Sequence, residues 1–208
     1  MACLVIMSTC VISTANAGII IGDKEWMQVT DTSNFSWNDF DAIFDTASGQ
    51  CDITGCLLGG TIDLTGYTWA DNSSVNDLLI SYSLTGFSSL TGNNYVPYGT
   101  DSLDAMLSDF APTNSSLTWI NLIGRTRNQT ATTSYGDVVR VASPKSLTGI
   151  DRAYIDTNRN WINPVALRSS QAGGWLYKAA AVPEPSSVAI FALGIMGLAS
   201  RRFKKKFK

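Results

Sequence analysis

The residues of this chain that can do chemistry are carboxylates, one close pair of cysteines and an acidic tripeptide held between prolines. No histidine occurs in the 208 residues. Ser-His-Asp and Cys-His catalysis need an imidazole to carry the proton, so both are excluded. No G-x-S-x-G elbow, Walker loop or G-x-G-x-x-G fingerprint is present. Two carboxylates can split a glycosidic bond as acid and base, but fifteen aspartates make coincidental pairs easy to find. The densest group is Asp39, Asp41 and Asp45. On a helix Asp41 and Asp45 lie one turn apart on one side. A calcium site there needs further loop oxygens, and no D-x-D-x-D-G loop is present, so the group reads as a solvated helix face.

Cys51 and Cys56 lie in GQCDITGCLLGG, separated by four residues that include Gly55. So short a turn brings two Cα atoms within bridging distance, and the pair reads as a disulfide. The alternative is free or metal-bound thiols. A metal wants about four ligands, and the sequence supplies no histidine and no second cysteine pair in the body. No cofactor and no catalytic residue is expected. Six tryptophans (Trp26, Trp37, Trp69, Trp119, Trp161 and Trp175) are many for this length. Exposed indoles can stack on sugar rings, but each of these lies beside apolar residues, so most read as core.

Short elements must position these groups. Glu25–Thr30 alternates and reads as a first strand. Ser36 precedes Trp37 with Asp39 three residues on, a helix-capping pattern. Trp37, Phe40, Ile43 and Phe44 then follow at helical spacing towards a stop near Gly49. Residues 60–71 read as strands broken at Gly66. Ser74 is placed to cap a helix with Val75, Leu78, Leu79 and Tyr82 on its apolar face. Asp101 or Ser102 caps a third, with Leu103, Met106, Leu107 and Phe110 inside. After Pro112 the chain turns to short β-branched or aromatic runs: SLTWINLIGRTR, YGDVVRVAS, RAYIDT, WINPVALRSS and GGWLYKAA. The expected fold is mainly β: a β-sandwich with a few short helices in the N-terminal half, followed by a C-terminal membrane helix.

Charge is segregated. Residues 18–124 hold thirteen acids and one base, Lys24, whereas residues 125–182 hold eight bases and three acids. A net-negative body does not suit a phosphate backbone, so no nucleic-acid partner is expected. Acids of the first half are expected to pair with bases of the second.

The two ends address the chain. An apolar run from Ala2 to Ile12 precedes Ala15-Asn16-Ala17, small residues at the two positions a signal peptidase grips. Residues 1–17 read as a signal peptide cut after Ala17, with residues 18–182 the exported globular domain. No Lys or Arg precedes the apolar run, which fits a start codon further upstream. At the other end, Val188–Ala199 is an unbroken apolar run of 12. At 1.5 Å per residue it reaches roughly 18 Å, short of a ~30 Å hydrocarbon core. Flanking serines and snorkelling of Arg201 and Arg202 extend it. Arg201, Arg202, Lys204, Lys205 and Lys206 stay cytoplasmic by the positive-inside rule, which leaves the body outside the inner membrane. Pro183 and Pro185 hold Glu184 extended, the form a protease accepts.

Pro183-Glu184-Pro185, a short apolar helix and a terminal basic cluster resemble the PEP-CTERM sorting signal of Gram-negative bacteria, here residues 183–208. That resemblance implies that exosortase, an integral-membrane cysteine protease, reads Pro183, Glu184 and Pro185 and cuts near them. It also implies association with exopolysaccharide and biofilm. The stretch Gly66–Ala70 is similar to one in uncharacterised PEP-CTERM proteins, which brings no activity with it.

The expectation is an exported, non-enzymatic surface or matrix protein. Its partners are signal peptidase, exosortase, the inner membrane and exopolysaccharide. It begins as an inner-membrane-anchored precursor and ends at the cell surface or secreted. Two alternatives stay open: a carbohydrate-binding module using exposed tryptophans, and a secreted glycosidase-like hydrolase using an Asp pair.

Overall fold

The computed structural model describes residues 18–51, 55–84, 92–96, 101–129, 136–145, 151–156 and 164–181. Strands β1 (Ile19–Ile21) and β2 (Lys24–Trp26) form a hairpin, and a 3-10 turn follows at Val29–Thr32. Helix α1 covers Trp37–Asp41; β3 (Leu57–Leu58) and β4 (Ile62–Asp63) make a two-stranded ribbon. Then come β5 (Thr68–Trp69), α2 (Asn72–Ser81), β6 (Gly92–Val96), α3 (Asp101–Asp109) and β7 (Asn114–Ser115). The long strands β8 (Trp119–Gln129), β9 (Gly136–Pro144) and β10 (Asp151–Asp156) precede two short ones, β11 (Gly173–Gly174) and β12 (Leu176–Ala179).

The fold is mainly β with few helices. Its larger sheet has the order β11-β8-β9-β10-β6, with β7 also pairing β8. All its pairs are antiparallel except β11 with β8. The smaller sheet is antiparallel, in the order β1-β2-β12-β5. The run GGWLYKAA links the two. Gly173 and Gly174 pair with β8, the Trp175 amide donates to Arg125 O at 3.0 Å, and Leu176 onwards enters the smaller sheet.

β8 is buried from Asn121 to Thr126, and β9 at every position but Arg140, so both faces of these strands are covered and several polar side chains are enclosed with the apolar ones. Leu122, Val139 and Val141 meet α2 through Val75, Leu78 and Leu79, α3 through Leu103 and Met106, and also Phe110, Trp26 and Trp175. Ile123 and Val138 cluster with Ala172 on the other face. The layer over the long strands is therefore partly helical, where the sequence reading places a second sheet. The apolar stripes of α2 and α3 are buried against this face of the sheet. A second cluster gathers Trp37, Phe40, Phe44, Leu58, Leu64, Trp69 and Leu176 beneath α1 and the β3–β4 ribbon.

Four local differences from the sequence reading have physical causes. The strand expected first, at Glu25–Thr30, is the second, since β1 precedes it; it stops at Trp26, because residues 29–32 turn inward to bury Val29 and Thr32, and Thr32 Oγ1 accepts from the Gly174 amide at 2.8 Å. Helix α1 ends at Asp41 rather than near Gly49, since the Asp45 side chain accepts from the Ala47 and Ser48 amides and closes a turn. Asp71, not Ser74, caps α2; its carboxylate accepts from the Ser74 amide at 2.7 Å, so Ser74 lies inside the helix. The described part of WINPVALRSS is not a strand. Pro164 has no N–H for a ladder, and the Pro164, Val165, Leu167 and Ser169 carbonyls accept instead from Leu167, Asn38, Arg125 and Asn34. Gly66 does break the strand pair where expected, at φ +80°, a conformation that glycine adopts without strain. No helix among the described residues is long and apolar enough to cross a membrane.

Candidate functional site

Helix α1 is held at its start by a reciprocal cap. The Ser36 amide donates to Asp39 Oδ2 at 2.7 Å, and the Asp39 amide donates to Ser36 Oγ at 3.2 Å. Arg168 adds a fork onto the same carboxylate, at 2.7 and 3.0 Å. The hydrogen bond from Arg168, aided by those from Ser36, holds the Asp39 carboxyl down at about 2. A depressed carboxyl pKa contributes stability that is present above the ordinary aspartate value and lost as pH falls through the lower one. Asp39→Ala is therefore expected to cost about 1 kcal/mol at pH 6 after solvent screening. The gap to wild type should shrink towards pH 2 in urea unfolding.

The cap fixes Trp37, which points inward and is buried. Its Nε1 donates to Thr126 O at 3.0 Å, and its ring lies 5.1 Å from that of Trp69. The exposed flank of this region is a cleft of about 280 Å³ lined by Trp37, Asp41, Thr46 and Arg127. Arg127 is locked in place. Its Nη1 donates to the Thr46 and Ala47 carbonyls, and its Nη2 meets Asp71 Oδ2 at 2.7 Å. Burial pushes Asp71 up, but hydrogen bonds from Ser74 and Arg127 outweigh it and the net shift is downward. Burial raises Asp41.

Behind the cleft lies a buried polar chain. Asn72 Nδ2 donates to Asp137 Oδ2 at 2.7 Å, Thr126 Oγ1 to Asn72 Oδ1 at 2.6 Å, and the Asn72 amide to Asn128 Oδ1 at 2.7 Å. Desolvation raises the Asp137 carboxyl. This chain ties the start of α2 to β8 and β9. It was missed from sequence, although an aspartate inside the apolar run GDVVRV was its visible signal.

Among the described lining residues Asp41 is the single carboxylate. Acid–base hydrolysis of a glycoside needs two flanking carboxyl groups, so the cleft alone does not supply that chemistry. Asp39, Asp41 and Asp45, adjacent in sequence, do three different jobs. Asp39 caps α1 and pairs with Arg168, Asp41 lines the cleft, and Asp45 closes a turn. No cluster of three metal-ligating side chains occurs among the described residues.

Cys51 and Cys56 are joined by a disulfide, with Cα atoms 6.0 Å apart. Cys56 is buried in the cluster beneath α1, so the bridge pins the turn after α1 to the ribbon. Closing so short a loop removes limited chain entropy. Replacing both cysteines with serine should cost about 2 kcal/mol, read as a lower urea midpoint.

Of the tryptophans, Trp26, Trp37, Trp69 and Trp175 are buried, and Trp119 is half-buried. The buried four offer no sugar-stacking platform. Trp161 lies outside the described residues. The segregated charges meet across the fold as Asp71–Arg127, Asp39–Arg168 and Glu25–Lys178.

The processing residues Ala15, Ala17, Pro183, Glu184 and Pro185, the apolar run and the basic cluster Arg201, Arg202, Lys204, Lys205 and Lys206 also lie outside the described residues. Their attachment point is described. β12, between β2 and β5, leads to Ala180, whose amide donates to Asp23 O at 2.8 Å, and then to exposed Ala181.

A PEP-CTERM protein-sorting motif matches residues 181–205. No curated protein and no solved structure is detectably similar to the chain. The motif indicates an exported protein that is a target of exosortase.

Proposed function

We propose that this chain is an exported cell-surface or matrix protein without catalytic activity. It is anchored in the inner membrane while its C-terminal signal is read, and is then released by a cut near Pro183-Glu184-Pro185. The observation that carries this reading is the sorting motif itself, which starts at residue 181, two residues after β12 ends. The tripeptide therefore follows closely on an internal strand of the smaller sheet. The body after processing is the described β-rich domain, with three ion pairs joining its acidic first half to its basic second half and a cleft beside α1. Association with exopolysaccharide is part of the proposal, and it rests on the sorting signal alone.

Fractionation of the native host tests the anchoring step. The full chain is expected first in the inner-membrane fraction and later at the surface or in the medium. A chain stopped after Val182 is expected to bypass the membrane fraction. Equal distribution of the two would remove any anchoring role from residues 183–208. Retardation of the processed protein in gels containing host exopolysaccharide tests the partner; unchanged mobility would count against it.

A further inference from the structure

Gly18 opens the described body, and the side chain of Glu25 lies against it. A Cβ on Gly18 would sit 2.4 Å from Glu25 Cγ and 2.6 Å from Oε1. The register explains the contact. Ile20 pairs with Glu25, so Gly18, two residues earlier on the same face, is its diagonal neighbour. Standard geometry puts the Gly18 nitrogen about 2.5 Å from that Cβ position, hence within about 5 Å of Oε1. On its other side Glu25 pairs in register with Lys178 of β12, with Nζ 3.1 Å from Oε1. One carboxylate therefore stands between the strand that opens the body and the strand that closes it.

We propose that Glu25 is the receptor for the α-ammonium of Gly18 created when the Ala17–Gly18 bond is hydrolysed. Glu25 then holds one cation from each end of the body across β1, β2 and β12. This rests on the export reading of residues 1–17. Water adds across the amide: Ala17 leaves as a carboxylate, and Gly18 is freed as an amine that takes up a proton below about pH 8. The uncut amide carries no charge, so the attraction to Glu25 arises on cutting. Glycine at position 18 leaves the Glu25 side chain its place between the two cations, since a Cβ there would push it aside. Lys24 and Tyr177 lie on the opposite face of the sheet, with Lys24 Nζ 4.8 Å from the Tyr177 ring centroid. Tyr67 lies beyond Lys178, at 5.1 Å. An amine whose pKa is raised by a partner adds stability that is full below its ordinary pKa and lost as pH rises through the raised value.

Three measurements test this. N-terminal sequencing of the exported protein should give Gly18 first; any other first residue overturns the leader reading and the proposal together. For the full chain beginning at Gly18, the α-amine is titrated by pH-dependent labelling in wild type, E25Q and K178M. The amine is expected to titrate about half a unit higher or more in wild type than in E25Q, and higher still in K178M, where a competing cation is gone. The chain should also melt about 2 °C above one beginning at Ala17 at pH 7, with no difference at pH 10. Gly18 found first with identical titration in wild type and E25Q overturns the proposal and leaves the leader reading standing.

Discussion

Replacing Pro183, Glu184 and Pro185 together with alanine is expected to abolish processing, so that the exported chain accumulates in the inner membrane with Lys208 still attached. The effect should be near-complete, because the triple change removes both features a protease can read there. Each of the two prolines fixes its own φ and disfavours helix at the residue before it, which suits cleavage without prior unwinding. The carboxylate between them is the one acidic group after Asp156. Alanines lift that restriction on the backbone. Glu184→Gln keeps both prolines and removes only charge, so partial processing of that variant would separate the two contributions. The body should be indifferent to both, since the last backbone hydrogen bond described before the tripeptide is that of the Ala180 amide. Circular dichroism and unfolding curves of the variants should overlay those of the wild type, while the accumulated mass does not.

Gly173→Ala is expected to destabilise the body by about 3 kcal/mol or more, the larger end of overpacking costs. Gly173 occupies β11, directly against the 3-10 turn. A Cβ would lie 1.8 Å from the Val29 carbonyl oxygen and 2.9 Å from Thr32 Oγ1. The obstacle is backbone, and both Val29 and Thr32 are fully buried, so no flexible side chain can swing aside. Relief requires moving the turn off β11, which breaks the bond from the Gly174 amide to Thr32 Oγ1 and shifts Trp175 in the main core. The same run carries the chain from the larger sheet to β12, so the damage spreads to the strand that precedes the sorting signal. Leu117→Ala, at a side chain 97% exposed, should change stability by less than about 0.5 kcal/mol. Urea unfolding of the two variants checks the contrast.

Much of this fold was legible because its signals are local. The Ser36–Asp39 cap, the break at Gly66 and the apolar faces of α2 and α3 are each written within a few residues, and the structure has them. The first-half acids also meet second-half bases. What was not legible depends on partners distant in sequence. The strand expected over Glu25–Thr30 gives way to a 3-10 turn from Val29, held where Thr32 bonds Gly174, and residues 164–170 serve as acceptors for Arg125, Asn34 and Asn38 instead of forming a strand. That α2 and α3, and not a second sheet, cover β8 and β9 is written in neither helix, since an apolar stripe does not name the surface it packs on. The cleft joins residues from 37 to 127, and nothing near Trp37 names Arg127 as its neighbour. The sorting signal is the opposite case. Its three parts are contiguous, and the match to residues 181–205 falls where the sequence placed it.

The most direct test of the central claim is the intact mass of the protein recovered from the surface or medium of its native host, with and without active exosortase. With the enzyme, the mass should correspond to a chain that starts at Gly18 and ends near Pro183-Glu184-Pro185, lacking the basic cluster. Without it, the chain should keep Lys208 and stay with the membrane. A surface or secreted form that still carries Lys208 in cells with active exosortase would contradict the account.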